Sequence, residues 1–575
     1  MVARAGRGRL AAGLVVVALL VVTGVVLVRS AVLPVGGATS STDQGTPETS
    51  QDASGTATSG AAQDPDVVAL AWGPTVADLR EATAEAAALP LERAAGGVLV
   101  SRYQGSDATA AAAQVAELGL AGVLLFGDNV VSPEQVRAST DLVKEAGASD
   151  GRSWPVVVGV DQEGGVVQRL GEPWTQMPSF LAAGAAVTDD PAAGAAVVRD
   201  AARAGAAELR GSGFTVNFAP VADVTVGPAD VTVGTRSAGS DPQTVATAAT
   251  AAAEGLLEGG VLPGVKHFPG HGSVTTDSHV ALPVQGATAA ELAARDLVPF
   301  VEAVNSGAPM IMVSHVSVTA WDPGVPASLS AAAYDRLRTD LGFTGVAVTD
   351  SLDMGGVADG RTPEQVAVQA LGAGADLLLT PTDVVAARDG IVAAVQDGTL
   401  PRERLDEALG RVVAMMRWQQ KLADRADMTL AAGPDAVGTA SDSARALGDA
   451  SVTVVAGRCA APLVGQRLHV RGGNQEDWDA FAAAAGRAGL AVVPLTEPAD
   501  TTVRLLPGES TVRADVDVAL GWPTVLASST APVQVATYGR TRQTFDATLA
   551  VLTGRQSAQG SLPVAVGRHP VGTGC

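Results

Sequence analysis

From about residue 67 onward, short apolar runs alternate with longer alanine-rich stretches whose spacing is helical. The runs fall near Gly97–Ser101, Ala121–Phe126, Pro155–Asp161, Phe214–Ala219, Gly264–His267, Met310–His315, Gly345–Asp350 and Ala375–Thr380. Between most of them lie stretches such as Gln243–Leu257 and Ala289–Val304, which repeat with helical period. Eight strands alternating with helices predict an α/β fold, a (β/α)8 TIM-like barrel. A doubly wound open sheet has the same alternation. The barrel is favoured because polar residues cluster just past the carboxyl ends of several non-adjacent strands, and those ends converge on one mouth only in a barrel.

The pattern changes at both ends of this region. A helix predicted over about Arg402–Lys421, with Leu405, Leu409, Val412, Val413 and Met416 on one face, closes a domain spanning 67–425. After a Gly/Ala/Asp-rich connection, residues 440–575 read as a second, smaller α/β unit. Its strand candidates are Val452–Val455, Leu468–Arg471, Ala491–Val493, Val516–Leu520, Thr524–Ala527 and Val533–Thr537. Residues 31–66 are mostly Ser, Thr, Gly, Ala, Pro and Asp, with no Lys or Arg, and read as a disordered tether. Within 1–30, Arg4, Arg7 and Arg9 precede an apolar run from Leu10 to Val28. That length spans a bilayer core, so the segment is expected to be an N-terminal transmembrane helix with its arginines in the cytoplasm. A signal sequence cleaved near Gly36-Gly37-Ala38 is the alternative, and either places the body outside the cytoplasm.

Composition narrows the partners. A net charge of −22, with no basic run after the N-terminus, argues against nucleic acid, whose phosphates need cations. The two cysteines, Cys459 and Cys575, either form one disulfide in an oxidising compartment or remain a buried residue and a free terminal thiol.

The densest chemistry lies between Lys266 and His279, which holds three of the six histidines. Pro269, Gly270 and Gly272 prevent a helix there, so the stretch is a strand end running into a loop. Three readings are open. In the first, Lys266 and His267 contact sugar hydroxyls, while Asp277 and His279 form a dyad that donates and later accepts a proton. In the second, His267, His271, His279 and Asp277 bind a metal, although Lys266 is an unhelpful neighbour. In the third, the histidines satisfy loop backbone. Asp350, in Thr349-Asp350-Ser351-Leu352-Asp353, ends a buried strand and suits attack on an anomeric carbon, or it caps the next helix. Asp161 precedes paired glycines that allow close backbone approach, and it is able to accept from two sugar hydroxyls. Arg169, Arg236 and His315 are further candidates for the same subsite.

The stretches VGVDQEGGVVQRL, NFAPVADV, GTRS, KHFPGHG with TDSH, MVSHV, VTDSLDM and LGAGADLLL occur in this order over about residues 95–420. Together they resemble glycoside hydrolase family 3, in its bacterial β-N-acetylhexosaminidase (NagZ-like) branch. The closing stretch TYGRTRQTFDATLAVLTGRQSAQGSLPVAV is similar to the family's α/β sandwich domain. The resemblance implies a retaining exo-glycosidase with Asp350 as nucleophile and His279, paired with Asp277, as acid/base. Asp161, Arg169, Arg236, Lys266 and His267 would line the sugar subsite. One departure is Val166, where relatives often carry an arginine, leaving Arg169 alone on that side.

The expected activity is therefore removal of terminal β-linked N-acetylglucosamine from cell-wall glycans by a membrane-anchored monomer, with no metal or organic cofactor. Rival readings are a β-glucosidase, a phosphorylase (a neutral histidine does not repel phosphate) and an inactive, membrane-tethered glycan-binding module.

Overall fold

Eight short parallel strands form the first sheet of the computed structural model: β1 Leu99–Arg102, β2 Gly122–Leu125, β3 Val157–Val160, β4 Val216–Asn217, β5 Leu262–Phe268, β6 Met310–Val313, β7 Val346–Thr349 and β8 Leu378–Leu379. The structure describes residues 68–278, 281–358, 360–426, 433–460, 462–508 and 513–575. The expected membrane segment and tether, and His279, lie outside the described residues. Among the described residues no helix is long and apolar enough to cross a membrane.

The strand order is β8-β1-β2-β3-β4-β5-β6-β7. The ends approach each other through a parallel bridge between Val348 and Leu377. The Thr349 N–H donates to the Leu377 carbonyl at 3.0 Å, and the Leu379 N–H donates to Thr349 Oγ1 at 3.1 Å. The sheet is thus a nearly closed barrel, as the alternation predicted, and every residue of β2, β3, β6 and β7 is buried. Burial on both faces explains why these strands read as continuous apolar runs.

The helices between strands begin at a repeated signal. Ser132-Pro133, Asp190-Pro191, Asp241-Pro242 and Thr362-Pro363 each supply a side chain that accepts from the first-turn backbone, followed by a proline at the first helical position. The helix Arg402–Arg425 buries Leu405, Leu409, Val412, Val413 and Met416 and packs on the N-terminal helix Val76–Ala88. The stretch Ala289–Val304 departs from expectation. It is two helices, Ala289–Ala294 and Val298–Asn305, broken at Arg295 and Asp296. The break lets Asp296 accept from Ser273 at 2.8 Å in the loop after β5.

A second sheet comprises β9 Thr453–Ala456, β10 Arg467–Gly472, β11 Ala491–Val492, β12 Thr501–Leu506, β13 Val516–Ala519 and β14 Val533–Ala536. Its order is β9-β14-β13-β12-β10-β11, with only β9 antiparallel to its neighbour. Two expectations are corrected here. Thr524–Ala527 lies in a 3-10 helix, Pro523–Ser528, started by its proline. The strand β12 was missed, because Arg504 interrupts its apolar run. Arg504 is buried, and its Nε donates to Asp517 on β13 at 2.8 Å.

The described residues form one compact unit. The barrel-side helix Leu181–Val187 packs Leu181, Ala182 and Ala185 against Val455, Leu506 and Tyr538 of the second sheet region. Cys459 and Cys575 are joined in a disulfide with Cα atoms 5.5 Å apart, rather than left as free thiols.

Candidate active site

The carboxyl ends of the barrel strands open on a cleft of about 910 Å³ lined by Asp161, Arg169, Arg236, Lys266, His267 and Asp350, among others. Lys266 and His267 are adjacent in β5, and adjacent strand residues normally face opposite sides. Here the β5–β6 register shifts between Val265 and Phe268, so both side chains reach the mouth.

Four charged groups interlock at the base of the cleft. Lys266 Nζ lies 2.7 Å from Asp161 Oδ1 and 2.6 Å from Glu163 Oε1. Arg236 makes a two-pronged bond to Glu163, Nε to Oε2 and Nη2 to Oε1, both at 2.8 Å. Burial alone would raise the Glu163 carboxyl, but Arg236 and Lys266 hold it well below the usual range. Burial likewise opposes the Lys266 ammonium, yet Asp161 and Glu163 raise it above its ordinary value. Arg169 stands 4.0 Å from Asp161 and stacks over Phe126. It comes from a hairpin closed by a Gly164–Val167 bridge, in which Gly164 (φ 96°) has no space for a Cβ beside the Pro178 carbonyl. Val166 is exposed at the hairpin tip and does not line the cleft.

Asp223 organises the histidines. Its Oδ2 lies 2.6 Å from His267 Nδ1, and its Oδ1 accepts the His271 backbone N–H at 2.7 Å. His267 Nε2 is 3.4 Å from Arg236 Nη2. Because arginine only donates, Nε2 accepts there and the ring proton sits on Nδ1, against Asp223. Burial works against the Asp223 charge, but His267 and His271 hold its carboxyl below the ordinary range.

Asp350 follows β7, with its Oδ1 accepting the Ser351 N–H at 2.8 Å. Burial would raise this carboxyl too, and the neighbouring His315, His267 and Lys266 with the Ser351 N–H pull it below the usual range. The group is an anion at neutral pH, as a nucleophile must be. His315 is placed differently from expectation. It is fully buried, with Nδ1 2.7 Å from Ser328 Oγ and Nε2 2.8 Å from the Ser351 carbonyl. Nε2 must therefore donate to Ser351, and His315 braces the turn after Asp350 from behind without lining the cleft. Burial lowers the proton affinity of its ring, against the pull of Asp350.

The Asp277 carbonyl accepts from the Ala281 N–H at 3.1 Å. Ser278 lines the cleft, and His279, the expected acid/base, lies outside the described residues.

Sequence reasoning missed Glu163 and Asp223 as site residues, although both lie inside motifs it singled out. The available signal was that a buried lysine and arginine demand carboxylate partners. It also missed Arg102 and Phe126 at the cleft wall, where Arg102 pairs with Asp353, read from the sequence as a capping or supporting residue, at 2.9 Å and covers the Phe126 ring. Among the described residues no group of three or more His, Cys, Asp or Glu is placed to hold a metal ion.

The family model described as the glycosyl hydrolase family 3 N terminal domain matches residues 91–415. The β-hexosaminidase LpqI of Mycobacterium tuberculosis H37Rv is 36% identical over 327 residues, covering 54% of this chain and 79% of that one. A β-hexosaminidase of Stenotrophomonas maltophilia R551-3 is 36% identical over 307 residues, covering 53% of this chain and 88% of its own. A solved family 3 β-N-acetylglucosaminidase from Paenibacillus sp. FPU-7 superposes with a TM-score of 0.73 at 27% identity. That likeness covers 83% of this chain and 99% of the other, so it reaches into the second sheet.

Proposed function

As this chain belongs to glycosyl hydrolase family 3 and is a glycoside hydrolase, we propose that it removes terminal β-linked N-acetylglucosamine from cell-wall glycans by two displacements at Asp350. The observation that carries this reading is an anionic Asp350 facing, across one cleft, the neutralised Lys266–Asp161–Glu163–Arg236 cluster. That cluster presents donors and acceptors to sugar hydroxyls with no net charge to compete for the nucleophile.

In the first step an Asp350 oxygen bonds to the anomeric carbon as the glycosidic bond breaks, and His279 gives its proton to the departing oxygen. Asp277 stabilises the imidazolium before that transfer. In the second step water attacks the anomeric carbon from the vacated face, the ester bond to Asp350 breaks, and neutral His279 takes the water proton. The configuration is retained, and neither step calls on a metal or organic cofactor. The names of the relatives, β-hexosaminidase and β-N-acetylglucosaminidase, support the choice of sugar.

We read the second sheet as the family's α/β sandwich domain, holding the barrel loops from behind. The run Leu10–Val28 supports a body anchored on the extracytoplasmic side, and the Cys459–Cys575 disulfide suits such an oxidising compartment. Trapping with a 5-fluoro or 2-fluoro sugar followed by peptide mapping tests the mechanism. Label on Asp350 is expected, and label on any other residue overturns the assignment.

A further inference from the structure

Asp277 and Ser278 immediately precede the proposed acid in the chain, and hydrogen bonds to described residues hold them. The Asp277 carbonyl accepts from the Ala281 N–H. The Ser278 carbonyl accepts from the Gly356 N–H at 2.9 Å, in the short helix Gly355–Ala358 just beyond Asp350. The Ser278 hydroxyl lies 3.0 Å from His271 Nε2.

These anchors are buried. Ser278 and His271 are each 2% exposed, so solvent does not replace a partner that is lost. A Cβ on Gly356 would sit 2.8 Å from the Ser278 carbonyl oxygen, so the contact exists only because that position is glycine. His271 is itself set by Asp223, the carboxylate that also orients His267. One buried carboxylate therefore references both the sugar-facing histidine and the histidine that anchors Ser278. His271 Nδ1 has no hydrogen-bond partner among the described residues, so the bond to Ser278 is the ring's one fixed attachment there.

From this geometry we propose that His271 and Ser278 are positioning residues: their hydrogen bond, with the Gly356 contact, sets where His279 meets the glycosidic oxygen. The inference rests on His279 being the acid, as proposed above. A displacement of about 1 Å in a catalytic group is able to cost on the order of 10²-fold in rate. The cost falls on the step that needs the proton and spares the rest.

Leaving-group dependence reads this directly. kcat/KM covers events up to departure of the aglycone. A 2,4-dinitrophenyl aglycone leaves without a proton, whereas a methyl aglycone needs one. Ser278→Ala removes a single oxygen and is the primary variant. It is expected to lower kcat/KM on the methyl glycoside by about tenfold or more, with less than about a threefold change on the dinitrophenyl glycoside. His271→Gln is expected to change the two substrates in the same unequal way. A loss of equal size on both aglycones, or no loss on either, overturns the proposal, since a purely structural defect does not sense the aglycone. His279→Ala is measured alongside. If it too fails to discriminate, the acid assignment falls and this inference with it. If it discriminates and Ser278→Ala does not, only the inference falls.

Discussion

At Glu163 one buried carboxylate accepts from both Arg236 and Lys266, so its loss would leave two cations facing each other with only Asp161 between them. Breaking a buried pair by removing one partner typically costs about 3–5 kcal/mol, far more than an exposed pair contributes. Glu163→Ala is therefore expected to lower the unfolding free energy by about that amount, measured from denaturant midpoints. Asp353→Ala, which breaks the solvent-facing pair with Arg102, should cost less than about 1 kcal/mol. Equal costs would refute the ranking. Asp161, Lys266, His267 and Asp350 were legible because each is a polar residue ending an apolar run. Glu163 and Asp223 were not, because their partners lie 73 and 44 positions away and only folding brings them together. His315 shares the strand-end signature of the cleft residues, and only packing turns its ring toward Ser328 and Ser351.

Element boundaries were legible where a local rule governs them. In the Asp241-Pro242 start, Asp241 accepts from the Thr244 N–H at 2.8 Å, a bond that forms within one turn and depends on nothing distant. Asp241→Ala should destabilise by about 1 kcal/mol in chemical denaturation, and an unchanged midpoint would show that tertiary packing alone sets this helix start. Legibility failed where a long-range partner overrides the local pattern. Arg504 sits inside β12 because Asp517 on the neighbouring strand neutralises it, and no hydropathy pattern along one segment reveals that. The break in Ala289–Val304 is similar, since Asp296 turns aside to reach Ser273. The register shift against β6 falls where Lys266 and His267 both reach the mouth, and a shift in pairing is not readable from one segment.

Across the whole molecule, the buried titratable groups set how stability answers to acid. Burial lowers the proton affinity of His271 and His315 in the fold. Unfolded, both titrate near pH 6.5, so below about that value the unfolded chain binds more protons and stability falls as pH falls. Despite the opposing effect of burial, Glu163 and Asp376 are held below the usual carboxyl range by arginine and lysine neighbours, and Asp223 by its bonds to His267 and His271. Their contribution is full above about pH 4 and is lost as pH falls through the lower folded values. Thermal melts from pH 8 to about 2 should show a flat region near neutrality, a decline below about 6.5 and a steeper one below about 4. A midpoint that rises between pH 7.5 and 5.5 would overturn this account.

The periodicity of short apolar runs determined the alternation of strands and helices, because burial on both faces leaves a one-dimensional trace in each strand, and the polar residues past the strand ends pointed to a barrel over an open sheet. The ordered motifs likewise determined which strand ends carry chemistry. Tertiary structure alone decided how those groups are charged and aimed: Lys266 between Asp161 and Glu163, His267 protonated toward Asp223, and Ser278 held between His271 and Gly356. The reason is physical. A hydrophobic pattern is a property of neighbours along the chain, whereas a buried charge or hydrogen bond is a property of partners across it.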